Sequence, residues 1–103
     1  MSERRAADIL SFLAYEAEAV SKEAASHAHT LNQAADAARE IARAFGEVDS
    51  NSADYEAAFE IGCNAAIAAD AATAKAVAAK AASDTATAAA RKASMIANMA
   101  TKM

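Results

Sequence analysis

Apolar residues in the first half of the chain fall at Leu10, Leu13, Ala17, Val20, Ala24, then His27, Leu31, Ala34, Ala38, Ile41 and Phe45, in alternating steps of three and four without a slip. Such steps keep side chains on one stripe of an α-helix, and a phase held for about five heptads predicts one continuous helix over residues 3–45. Only His27 on that stripe is polar, and it reads as a seam residue that fixes register, as a buried Asn does in a coiled coil. Gly46 predicts the helix stop. Asp49-Ser50-Asn51-Ser52 predicts a turn that also supplies an N-cap to the next helix.

In the second half alanine makes almost any frame look apolar, so the informative frames are those that exclude charge. Ala58, Ala65, Ala72, Ala79, Ala86, Ala93 and Ala100 stand at heptad spacing, and three residues on run Ile61, Ala68, Lys75, Ala82, Ala89, Ile96 and Met103, broken only by the lysine. The neighbouring frame of Tyr55, Gly62, Ala69, Ala76, Ser83, Ala90 and Ala97 is also uncharged. A second helix over about residues 53–100 follows, and a turn this short makes the pair antiparallel. The expected seam sets Leu, Val, Ile and Phe of the first helix into alanine gaps of the second, along a hairpin on the order of 65 Å. Ile9, Leu10, Phe12 and Leu13 should then lie near Met95, Ile96, Met99 and Met103, and Ile41, Phe45 and Val48 near Tyr55, Phe59 and Ile61. The weak helix formers at 26–30 and 83–85 leave an alternative open: a compact four-helix monomer with breaks near 28 and 84, Thr30 and Gln33 forming a capping box.

Composition makes the all-α reading close to forced. Thirty-six of the 103 residues are alanine, proline is absent and glycine occurs twice, which removes the side chains and punctuation that sheets need. One domain, residues 1–103, accounts for the length. Alanine contributes a single methyl to a core, so a two-helix hairpin buries little, and self-association is the natural remedy. Phe12, Tyr15, Ile67 and Met95 lie outside the expected seams and offer a second apolar surface. A homodimer closing into an antiparallel four-helix bundle is expected.

The net charge of −4, without a basic stripe, gives no reason to bind nucleic acid directly. The uncharged runs at 61–69 and 93–101 fall well below the roughly 18–20 apolar residues of a bilayer span, so no membrane partner is expected. The opening Met1-Ser2-Glu3-Arg4-Arg5 lacks the apolar block of a signal peptide, and a cytoplasmic location is expected. Charge is nevertheless uneven. Glu47, Asp49, Asp54, Glu56 and Glu60 surround the turn with no base among them, whereas Arg4, Arg5, Arg91, Lys92 and Lys102 gather near the chain ends. Helix-dipole matching accounts for part of this, and the five acids, with Phe12, Tyr15, Met95 and Met99, are the candidate contacts for a protein partner.

Reactive chemistry is thin. His27 and His29 are two residues apart, which on a helix turns them to nearly opposite sides. No Glu-x-x-His of a diiron bundle occurs. Cys63 has no histidine or base in its own turn to activate it, and as the lone cysteine it forms no internal disulfide. Phosphate loops, serine elbows and zinc spacings are absent from the sequence. No catalytic residue, cofactor or metal is expected, and the chain reads as non-enzymatic.

Residues 37–72, with Ala-Ala-Arg-Glu-Ile-Ala-Arg-Ala-Phe-Gly, the acidic turn and Tyr55-Glu56-Ala57-Ala58-Phe59, give the chain a compositional resemblance to alanine-rich small helical proteins of bacteria and phages, immunity-type proteins among them. The likeness covers about a third of the chain and carries no functional residue across. It implies a non-enzymatic protein–protein interaction module, a small helical binder or inhibitor of a prokaryotic or phage-targeted complex, with inhibition of a host nuclease in the manner of anti-CRISPR proteins as one specific form. Three alternatives stay open: an assembly subunit built on alanine packing, a small-molecule or metal-binding bundle using His27, and an ice-binding protein. The last rests on Thr73, Thr87 and Thr101 at fourteen-residue spacing, which resembles helical fish antifreeze proteins in composition but not in threonine spacing.

Overall fold

A computed structural model describes residues 3–102 and places them in two α-helices, α1 (Glu3–Val48) and α2 (Ala53–Lys102), that form an antiparallel hairpin. Met103, expected beside Ile9 and Leu10, lies outside the described residues. Both helices run unbroken through 26–30 and 83–85, which overturns the compact four-helix monomer. Instead of capping a new helix, the Thr30 hydroxyl donates to the Ser26 carbonyl at 3.1 Å, a back-bond that keeps a weak helix former within the α1 ladder.

Gly46 is not the stop that the sequence predicts. α1 passes through it to Val48, and neither glycine has a positive φ. What Gly46 provides is room: a Cβ there would stand 2.8 Å from Cε1 of Tyr55. The helix ends with the Asp49 N–H donating to the Phe45 carbonyl at 3.0 Å. The turn at 49–52 is then held by its own side chains. The Asn51 N–H donates to Asp49 Oδ1 at 3.0 Å, and the Tyr55 N–H donates to Ser52 Oγ at 3.0 Å, which makes Ser52 the N-cap of α2. Asp54 and Glu56 follow in the first turn, where their charge suits the positive end of the helix dipole, and Lys102 stands in the last turn.

The chain divides into two compact units, Met1–Glu23 with Ala76–Met103 (unit 1) and Ala24–Lys75 (unit 2), each containing one stretch of either helix. In unit 1 the buried residues are Ala7 and Ala14 on α1 and Ser83, Ala90 and Ala97 on α2, with Leu10, Ala17 and Ser21 half-buried beside them. Unit 2 buries Ala28, Ala35 and Ala42 against Ala58, Gly62, Ala69 and Ala72, with Leu31, Ala38 and Tyr55 half-buried. Hydrogen bonds tie the helices across in both units, Arg4 Nη2 to Asn98 Oδ1 at 2.5 Å in unit 1 and Asn32 Nδ2 to Thr73 Oγ1 at 3.1 Å in unit 2.

This seam corrects the expected one. On α1 the half-buried stripe of Leu10, Ala17, Ala24, Leu31 and Ala38 agrees with the sequence reading, but its companion is Ala7, Ala14, Ser21, Ala28, Ala35 and Ala42. Leu13, Val20, His27, Ala34 and Ile41, each one position earlier, are exposed. On α2 the stripe of Ile61, Ala68, Lys75, Ala82, Ala89 and Ile96 is likewise exposed, and the frame from Tyr55 and Gly62 to Ala97 takes its place. Small residues face small residues. The reason is the closeness that this pairing permits: a Cβ at Gly62 would sit 3.8 Å from the backbone C and O of Ala38 and from the Arg39 N. At that approach a small side chain reaches the opposite backbone, whereas a leucine in the stripe would hold the backbones apart.

The 3.8 Å clearance makes Gly62→Ala an ordinary van der Waals fit that also removes a mid-helix glycine. Urea unfolding at one fixed protein concentration should show Gly62→Ala more stable by about 0.5–1 kcal/mol, and Ala69→Leu less stable by about 1–3 kcal/mol. A leucine tolerated at position 69 without loss would contradict the small-on-small seam.

Candidate interaction surfaces

With the seam filled by small residues, fifteen large apolar side chains among the described residues are each at least 41% exposed. In each unit they sort onto two sides of the helix pair. The first side is apolar. In unit 2, Ile41, Phe45 and Ile61 line a groove of about 290 Å³ floored by Ala38 and Ala58, with Asp54 at its edge. Ile41 immediately precedes the buried Ala42, and Ile61 the buried Gly62. In unit 1 the same relation holds for Leu13 before Ala14 and Ile96 before Ala97, so these residues flank the seam on the corresponding side of their unit.

The second side is mixed in character. In unit 1, Tyr15 and Met95 line a groove of about 530 Å³ together with Ser11, Glu18, Arg91 and Asn98. In unit 2, Arg39, Arg43, Tyr55, Phe59 and Cys63 line one of about 460 Å³. The Tyr55 and Phe59 rings are tilted by 46° with centroids 6.0 Å apart, within the range of a favourable aromatic pair. Arg39 and Arg43 already face carboxylates one turn away, Asp36 at 3.5 Å and Glu40 at 2.6 Å, pairs that are exposed and contribute little to stability. These are open grooves between neighbouring ridges of side chains.

Of the expected contacts, Phe12, Tyr15, Met95 and Met99 are all exposed, and Tyr15 and Met95 share one groove. Glu47, Asp49, Asp54, Glu56 and Glu60 are exposed in unit 2. Two of them have local work to do: Asp49 builds the turn and Asp54 opens α2. His27 is corrected. It is exposed on α1, and the seam position belongs to Ala28, so no buried histidine sets the register. Cys63 is a free, exposed thiol.

Cross-helix positioning falls instead to Asn32, which the sequence reading passed over, and Thr73, which it took only as one of three regularly spaced threonines. Asn32 Nδ2 donates both to the Ala28 carbonyl, at 2.8 Å, and to Thr73 Oγ1, whose own hydroxyl donates to the Ala69 carbonyl at 2.9 Å. The signal was available: Asn32 stands four residues after the buried Ala28 and Thr73 four after the buried Ala69, the flanking position at which side chains reach across an antiparallel pair. Thr101 also bonds its own helix, at the Ala97 carbonyl, so two of the three regularly spaced threonines engage their own α2 backbone. Among the described residues no group of three or more His, Cys, Asp and Glu is placed to hold a metal ion, and no helix is long and apolar enough to cross a membrane.

An exposed His27 predicts that His27→Ala changes the urea unfolding free energy of the single hairpin, measured at a protein concentration below self-association, by less than about 0.5 kcal/mol, as for an ordinary surface substitution. Ala28→His, which forces an imidazole into the seam, should lose several times that. In the same preparation Cys63 should react fully with a thiol reagent in the absence of denaturant. Comparison of the chain with protein-family models, with curated proteins and with solved structures gave no match, so its functional reading rests on these surfaces.

Proposed function

We propose that the chain is a non-enzymatic protein–protein interaction module that works as a homodimer, two hairpins closing into a four-helix bundle. The observation that carries this reading is the inversion of side-chain size across the hairpin. Alanine, glycine and serine occupy the buried positions, while fifteen large apolar side chains are at least 41% exposed. Contiguous apolar surface of that kind marks a binding face, and a single alanine seam buries too little to offset the chain entropy of about a hundred residues.

The mixed side then faces a different protein. Tyr15, Met95 and Arg91 around one groove, and Tyr55, Phe59 and Arg39 around another, are of the residue types that dominate interface cores. The five acids of unit 2 supply a charged rim that steers a basic partner. Together with the compositional likeness to small helical proteins of bacteria and phages, this favours a binder or inhibitor of a prokaryotic or phage-targeted complex. An assembly subunit is the second reading, favoured because Phe12, Tyr15, Ile67 and Val77 leave apolar surface away from the side that the dimer covers.

Sedimentation equilibrium at micromolar concentration should give about twice the 10.5 kDa chain mass, constant with concentration. A single-chain mass throughout that range overturns the proposal, and a mass that keeps growing with concentration selects the assembly subunit. In pull-downs from bacterial lysate, a dimer carrying Tyr15→Ala and Met95→Ala should lose the partner that the wild type retains. Charge reversal at Asp49, Asp54 and Glu56 that leaves recovery unchanged removes the acidic rim from the contact.

A further inference from the structure

The geometry points to a head-to-tail dimer, in which the apolar stripe of unit 1 (Leu13, Val20, Ile96) is covered by that of unit 2 in a second copy (Ile41, Val48, Ile61), and the reverse. The inference rests on the homodimer reading above and adds the face and the orientation.

Three observations carry it. The exposed stripe on α1 keeps strict heptad spacing through Leu13, Val20, His27, Ala34, Ile41 and Val48, and every member but the helix-terminal Val48 stands one residue before a seam position. A stripe of that period fits a helix laid along it, and the chain itself is two such helices. Seven of the fifteen exposed large apolar side chains, Leu13, Val20, Ile41, Phe45, Val48, Ile61 and Ile96, lie on this side. At roughly 60–100 Å² each they offer on the order of 550 Å² per copy, close to the ~600 Å² per partner at the low end of a standard interface. Charge fixes the orientation. Unit 2 carries eight acidic and three basic residues, −5, and unit 1 seven basic and six acidic, +1, which together give the chain's −4. A head-to-head dimer places −5 against −5, whereas a head-to-tail dimer sets each −5 against +1.

Nitroxide labels at two exposed positions test the orientation without touching the apolar stripe: Asn64→Cys in unit 2, and Lys92→Cys in unit 1 paired with Asp84→Asn so that unit 1 keeps its +1, each in a Cys63→Ser background. The two labelled proteins are unfolded together, refolded and measured by double electron–electron resonance at low salt, beside each protein alone, with sedimentation on the same samples. The expected result is a distance on the order of 20 Å, the span of two packed helices, in the mixture and in neither protein alone. A short distance within either singly labelled protein overturns the inference in favour of head-to-head pairing. A dimeric mass with no short distance in any sample overturns it in favour of another face. A monomeric mass fails the homodimer reading itself, which separates that failure from this one.

Discussion

Close approach of two helices through small residues is the constraint from which the rest of this structure follows. Where α2 crosses α1 at Gly62, the Ala38 carbonyl lies only 3.8 Å from the place a Cβ would take, and the same stripe repeats alanine or serine at heptad spacing in both units. Each contact is individually small, but at that separation the contacts add along the stripe. The consequence is geometric. Side chains that would ordinarily form the core have no place between the helices and are displaced to the flanks, where Leu13, Ile41, Ile61 and Ile96 are 48–62% exposed.

A seam of methyl groups offers little directional information, so register comes from elsewhere. Asn32 bridges its own helix and Thr73, and Arg4 reaches Asn98. At the closed end, Ser52 caps α2 and the missing side chain of Gly46 admits the ring of Tyr55. Helical stability is local to a degree unusual for a folded domain. Alanine has the most favourable helix propensity and loses no side-chain entropy, and helices of 46 and 50 residues spread the unfavourable nucleation step over many propagating bonds.

Much of this was legible in the sequence. Two helices, the turn at 49–52, a cap drawn from its Asp, Ser and Asn cluster, and the half-buried stripe through Leu10 and Leu31 all follow from period and turn chemistry. The rotation of the seam by one residue did not. A hydrophobic pattern locates the most apolar stripe, which in a self-sufficient helix is also the buried one. Here the most apolar stripe, Leu13, Val20 and Ile41, and the most closely packed one, Ala14, Ala28 and Ala42, are adjacent but different, and alanine scores too weakly to win a count of apolar positions. The misplacement of His27 is the same error: it belongs to the apolar stripe, which is exposed.

A helix that carries two adjacent seams, one of small and one of large residues, has more contact surface than a hairpin uses. α1 is such a helix: the half-buried line of Leu10, Ala17, Ala24, Leu31 and Ala38 lies between Ala14, Ala28 and Ala42 on one side and Leu13, Val20 and Ile41 on the other. On a helix wheel those three lines span about a third of the circumference, the width of a bundle-facing surface rather than of a two-stranded seam. α2 repeats the arrangement with Gly62, Ala65 and Ile61 and their heptad successors. Hairpin closure therefore satisfies the small half of each helix's surface and leaves the large half for a second layer. The same division accounts for the absence of any enclosed site among the grooves described. Side chains standing on the open flanks of a two-helix hairpin have no third element to close over them, so they bound shallow grooves and wall no cavity, and in the proposed dimer the large half would pack between layers.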